Sequence, residues 1–171
     1  MKVIWLGHAC FLITADNGLK IVIDPYEASP GGRISYGPAR EAPDVVTIGH
    51  QDAAHNHTAD LRGNPEIVQG AGSHMAGGIE FVGIPTPHGP VPTGEPPGAL
   101  GLEAAVALWE VLPPAVVILR HFRNQKCNFP SCGVEDLVRL RPGAVLVGNT
   151  EAELTAGHLP EGRILVLEPA L

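Results

Sequence analysis

VVTIGHQDAAHNH, residues 45–57, decides how the rest of the chain is read. VVTI, with Asp44 before it, has the β-branched, apolar composition of a buried strand. It runs straight into GHQDAAHNH, which carries three histidines, His50, His55 and His57, and one aspartate, Asp52. Imidazole and carboxylate side chains where a rigid strand gives way to a loop are the usual materials of a site for a borderline metal such as zinc.

Strand signals extend on both sides. KVIWLGHACFLITADNGLKIVIDP reads as three short strands, with a hairpin turn at Asp16–Asn17–Gly18. Residues 26–43 are rich in Pro, Gly and Ser and read as loop. EIVQGAG and GIEFVGIPTPHG supply two or three more strands, and His88 follows the last of them. GAGSHMAGG, with His74, reads as a Gly-rich turn. VPTGEPPGALG, residues 91–101, is the clearest linker. A helix is expected over 102–112, stopped by Pro113–Pro114. AVVILRH reads as a buried strand with His121 at its exit, 134–140 as a short helix, and AVLVG and RILVLEP as two more strands. The expected organisation is a single α/β domain over 1–171, with an N-terminal half (1–90), the linker, and a C-terminal half (102–171).

Composition bounds the function. The chain has 171 residues, 44% of them hydrophobic, enough for one core. Its formal net charge of −7 and its lack of a basic block argue against a nucleic-acid partner. No apolar run reaches membrane-spanning length, and MKVIWLGHACFLI lacks the layout of a signal peptide, so a cytoplasmic protein without a membrane partner is expected. Three cysteines, Cys10, Cys127 and Cys132, do not suggest a disulfide framework.

Four histidines fall just past strand ends: His50, His55, His88 and His121. They are read as ligands of one divalent metal, zinc first, with iron and manganese open; the alternative is that they are packed remnants. Asp52 is read either as a further ligand and general base or as a solvated loop residue. Asp24 is read as a support that accepts a hydrogen bond from the metal loop. His8 is read as structural, His57, His74 and His158 as non-ligands, and the cysteines as ordinary thiols.

These pieces together resemble the metallo-β-lactamase superfamily, and within it the branch of metal-dependent hydrolases similar to ascorbate-6-phosphate lactonase. WLGHACFLI followed by IVIDP resembles the opening strands of the family. VVTIGHQDAAHNH resembles its HxHxDH loop, GNPEIVQGAG with GGIEFVGIPTPH the segment that delivers the next histidine, and AVVILRH the strand that delivers the last. ELTAGHLPEGRILVLEP is similar to the branch's C-terminal tail. The resemblance implies an αββα sandwich and a metal-bound hydroxide acting on an ester, lactone or phosphoester of a small-molecule substrate. The sequence also departs from the family. Asp52 stands where the middle histidine of the motif belongs, and Ala54 where its aspartate belongs. The strands that precede the final helix, with their bridging aspartate, are missing, so the second half-sheet is expected to be truncated. A sheet that loses strands exposes an edge, from which a homodimer is expected, with the 102–112 helix and Trp109 at its interface. Two functional readings stay open: a minimal metal-dependent hydrolase, and a catalytically degenerate binding or structural protein.

Overall fold

The structure is a computed structural model that describes residues 1–29, 31–32, 34–85, 102–112, 114–127, 132–159 and 164–171, with the backbone alone for 144–146. His88 and the 91–101 linker therefore lie outside the described residues.

β1 (Lys2–Gly7), β2 (Cys10–Thr14) and β3 (Lys20–Ile23) form an antiparallel meander. The β2–β3 turn closes through the Ala15 N–H on the Leu19 carbonyl at 2.9 Å, with Gly18 at φ +88°. β4 (Val45–Ile48) and β5 (Glu66–Gln69) extend the sheet in parallel from β3. β10 (Glu151–Glu153) adds antiparallel to the free edge of β1, giving the order β10-β1-β2-β3-β4-β5. β6 (Gly72–Ala76) and β7 (Ile79–Gly83) make a separate hairpin.

In the C-terminal half, β8 (Val117–Ile118), β9 (Ala144–Leu146) and β11 (Ile164–Val166) form a parallel sheet in the order β8-β11-β9. Helices α1 (Leu102–Val111) and α2 (Val134–Leu140) accompany it. Among the described residues, a six-stranded and a three-stranded sheet pack around a shared core with helices beside them, an arrangement that agrees with the αββα expectation.

Alternation along the strands sorts the core into layers. Val3, Trp5 and Phe11 pack with Phe122, Leu137, Leu154 and Ile164–Leu167, so one core draws on both halves of the chain. The opposite face of the large sheet buries Leu6, Leu12, Val22 and Val46 beneath Tyr26 and Tyr36 of the long loop. Gly7 is required at this seam: its φ is +124°, and a Cβ there would lie 2.6 Å from the Tyr36 ring.

Two expectations are corrected. AVVILRH contributes only a two-residue strand, partly buried rather than buried, because β8 is an edge of the smaller sheet. GAGSHMAGG is not a turn throughout. Residues 72–76 pair with β7, and the reversal is confined to Gly77 and Gly78 at φ +55° and +75°. β10, of sequence EAE, carries no apolar signal. Main-chain pairing with β1 makes it a strand, helped by Lys2 Nζ on Glu151 at 3.0 Å. In α1 no residue is fully buried. Leu108 and Val111, with Leu112 just past the helix, are exposed, whereas Trp109 packs against the inter-sheet core with the Arg141 guanidinium 5.7 Å from its ring. No described helix is long and apolar enough to cross a membrane.

Candidate metal centre

β1, β3 and β4 run in the same direction, because β2 is antiparallel to both β1 and β3, and β4 is parallel to β3. Their carboxyl ends therefore open on one rim of the large sheet. His8 follows β1, Asp24 follows β3, and the 49–57 loop follows β4. β8 delivers Arg120 and His121 to the same place.

Three histidines converge there. His8, His55 and His121 each offer a ring nitrogen within 4.8 Å of the other two. His8 Nε2 and His121 Nε2 are 3.1 Å apart, and the two ring centroids 4.2 Å. Zinc–nitrogen bonds of about 2.0–2.1 Å in a tetrahedron hold two donors roughly 3.3 Å apart, close to that spacing. His8 Nδ1 is buried and has no hydrogen-bond partner.

The electrostatics keep two of the imidazoles unprotonated. Burial is the largest influence on both His8 and His121. With the neighbouring imidazoles and Arg120 it lowers them to about 4 and about 3, against the opposing pull of Asp24. Both rings are thus neutral at pH 7, the state in which imidazole ligates. Burial alone would raise the Asp24 carboxyl. Hydrogen bonds from His55 and the Gly49 amide, with the Arg120 charge, outweigh it and hold the carboxyl below its usual range.

Asp24 organises the cluster from beneath. Oδ1 accepts from the Gly49 N–H at 2.7 Å, and Oδ2 lies 3.3 Å from both His55 Nδ1 and Arg120 Nη1. The His55 contact leaves Nε2 as that ring's free donor atom, the carboxylate–histidine arrangement common behind metal ligands. Gly49 sits close against Asp24: a Cβ there would stand 3.2 Å from its carboxylate, so a larger residue would have to push that carboxylate aside.

Backbone strain falls on the same residues. Among the described residues, the non-glycine positions with positive φ are His8 (+49°), Asp24 (+44°) and His121 (+57°). Each costs on the order of 1 kcal/mol and persists because the surrounding fold holds it.

The structure groups the sequence candidates differently from the order in which the chain presents them. His55 and His121 are in the cluster. His50 is partly buried at its rim, with its ring centroid 5.9 Å from that of His55, and is not one of the three that converge. Asp52 is exposed. Its Oδ1 accepts from the Ala54 N–H at 2.9 Å, and its carbonyl accepts from His55 and Asn56, so it shapes the loop that carries His55. His57 lies 3.2 Å from Asp60, His74 is on β6, and His158 is exposed. His8, read from sequence as structural, completes the triad. The available signal was a lone histidine after a glycine, interrupting two apolar strands at Gly7–His8.

The two depressed histidines predict the acid behaviour of the metal-free protein. The unfolded chain binds protons at about pH 6.5, the folded one only near 4 and 3. Their contribution to stability is therefore complete above pH 6.5 and is lost as pH falls. Urea unfolding between pH 6.5 and 5, where Asp24 stays ionised, should show stability dropping by up to about 1.4 kcal/mol per pH unit for each histidine. A His8→Gln/His121→Gln protein should lose most of this slope.

A sandwich of this kind, with a histidine cluster at the carboxyl ends of its strands, has the architecture of the metallo-β-lactamase class. The chain belongs to the β-lactamase superfamily: the pattern of the β-lactamase superfamily domain matches residues 2–101. It is 40% identical over 55 residues to the UPF0173 protein of Pyrococcus furiosus, a match that covers 32% of this chain and only 23% of that relative's length. Its fold is similar, at a TM-score of 0.73 and 24% identity, to a Thermotoga maritima protein described as a candidate zinc-dependent hydrolase of the metallo-β-lactamase superfamily. That likeness covers 98% of both chains.

Proposed function

We propose that the protein is a metal-dependent hydrolase that holds one divalent ion, zinc by preference, on His8, His55 and His121. The observation that carries this reading is the convergence of three imidazoles, two of them held neutral by burial. The description of the Thermotoga maritima protein as a candidate zinc-dependent hydrolase supports it. A divalent ion bound there would acidify a water and polarise the bond to be cleaved. The chain's own residues fix the ligands: Asp24 sets the His55 tautomer, and Asp24 with Gly49 holds the loop against the sheet. The finer resemblance to the branch that includes ascorbate-6-phosphate lactonase puts lactones and esters first among substrates, with phosphoesters next.

A second reading, a metal-binding member without catalysis, has one observation in its favour. Among the described residues, Asp24 is the carboxylate that contacts the cluster, and it is already committed to Gly49, His55 and Arg120. The test is elemental analysis of the purified protein, followed by a panel of lactones, aryl esters and phosphodiesters. The hydrolase reading expects about one ion per chain and turnover abolished by chelation and restored by zinc. Stoichiometric metal with no turnover across the panel would select the second reading, and a protein that takes up no metal would end both.

A further inference from the structure

A cavity of about 670 Å³ lies beside the histidine cluster: Asp24, which contacts His55, lines it together with Asp24's partners Gly49 and Arg120, while the three histidines do not. Its size is that of a small-molecule site. Phe11, Phe81, Val82 and Ile84 give it apolar walls, and Thr47 and Gln69 are polar points at the ends of β4 and β5. Among its lining residues Arg120 is the one base and Asp24 the one acid. Asp24 is buried beneath the surface with its oxygens engaged, whereas the Arg120 side chain is 44% exposed. Arg120 Nη1 is tied to the Ala9 carbonyl at 3.2 Å and to Asp24 at 3.3 Å. A guanidinium has five N–H donors, and the Nε and Nη2 donors make no hydrogen bond to a described residue. The chain as a whole carries a net charge of −7, so an anchored cation in an apolar recess is a local exception to its charge.

We propose that this cavity is the substrate pocket of the hydrolase reading and takes a small organic anion, its carboxylate or phosphate on Arg120 and its apolar body between Phe11 and Phe81. The inference rests on that reading for the word substrate, but the binding itself requires neither metal nor turnover. Arg120 is held from behind by Asp24 and Ala9, which leaves its planar fork pre-set for an oxyanion. The apolar walls favour an aryl or acyl group over a sugar.

The test is calorimetric titration of the chelator-treated protein with 3-phenylpropanoate, phenyl phosphate and the neutral 3-phenylpropanamide. The expected result is saturable binding of at least one anion, with the amide at least about tenfold weaker, as loss of a charge-assisted pair implies. The stronger anion identifies the head group. Arg120→Met should cost about tenfold or more for the anion and leave the amide unchanged. Because Arg120 also contacts Asp24, a second variant guards against misfolding. Val82 is 65% exposed in the cavity wall, and Val82→Glu should repel the anions while sparing the amide. Equal binding of acid and amide, an unaffected Arg120→Met protein, or no binding of any probe would overturn the proposal. So would anion binding that appears only after zinc is restored and survives Arg120→Met, since the anion would then sit on the ion. A chain that binds the anions but takes up no metal would refute the hydrolase reading and leave the pocket standing.

Discussion

Replacing His8 by alanine should empty the metal site. We expect wild-type protein loaded with zinc and desalted to hold about one ion per chain, and the His8→Ala, His55→Ala and His121→Ala proteins each to hold less than roughly a tenth of that. His50→Ala should keep the ion. The argument is geometric. Three imidazoles with an open position are a sufficient set for a zinc ion, and two are not. His8 and His121 already stand 3.1 Å apart, nearly the separation a shared ion imposes, while His50 is outside the converging group. Alanine at position 8 also inherits a φ of +49°, which penalises the backbone. His8→Asn is the control, because asparagine tolerates that conformation better. It should fold as well as wild type and still lose the metal. The reverse pattern, with metal retained in His8→Ala and lost in His50→Ala, would return the ligand set to the order in which the sequence presents it and overturn the triad.

Much of the fold could be read from residue order, because it depends on local patterns. The β1–β3 meander announces itself through short apolar runs and an Asp-Asn-Gly turn, and α2 has the bounds its composition suggests. Non-local pairing hid the rest. β10 is a strand because the edge of β1 accepts it, and β8 is a two-residue strand at the margin of a sheet with three strands among the described residues. The site divides the same way. The positions of His55 in the cluster and of Asp24 under the Gly49 amide follow from their places just past strands, which the sequence shows. The position of His8 does not, since its approach to His121, 113 positions away, depends on a left-handed turn after Gly7 that no periodicity records. Asp52 is the opposite case. An aspartate between two histidines looks like a ligand, yet its side chain satisfies the amide two residues on, a habit of aspartate in loops.

Asp24→Ala should be the most damaging change that leaves every proposed ligand in place. It strips an acceptor from the Gly49 amide and from His55 Nδ1, the first at 2.7 Å and the second at 3.3 Å in a contact where both side chains are largely buried. Unsatisfied groups of this kind cost about 1–3 kcal/mol each, so a loss of about 3 kcal/mol in urea unfolding is expected. Arg120 adds little to that sum, because its charge is half in water. Metal affinity should fall a further 10–100-fold or so, the usual effect of removing the carboxylate behind a ligating histidine. Asp24→Asn separates the two effects. Its amide oxygen can still accept from Gly49, and asparagine suits a φ of +44°, so most of the stability should return. Its amino group would meet the donors of His55 and Arg120, so the metal affinity should not. The sign of the pH dependence follows from the depressed carboxyl. Asp24's share of the stability is present above the ordinary carboxylate range and is lost as pH falls through the lower folded value. The gap between wild type and Asp24→Ala should therefore hold steady down to about pH 4 and close below it. A gap that closed between pH 7 and 5 would mean that the Asp24 carboxylate is not held low, and that the loop carrying His55 is fastened by something else.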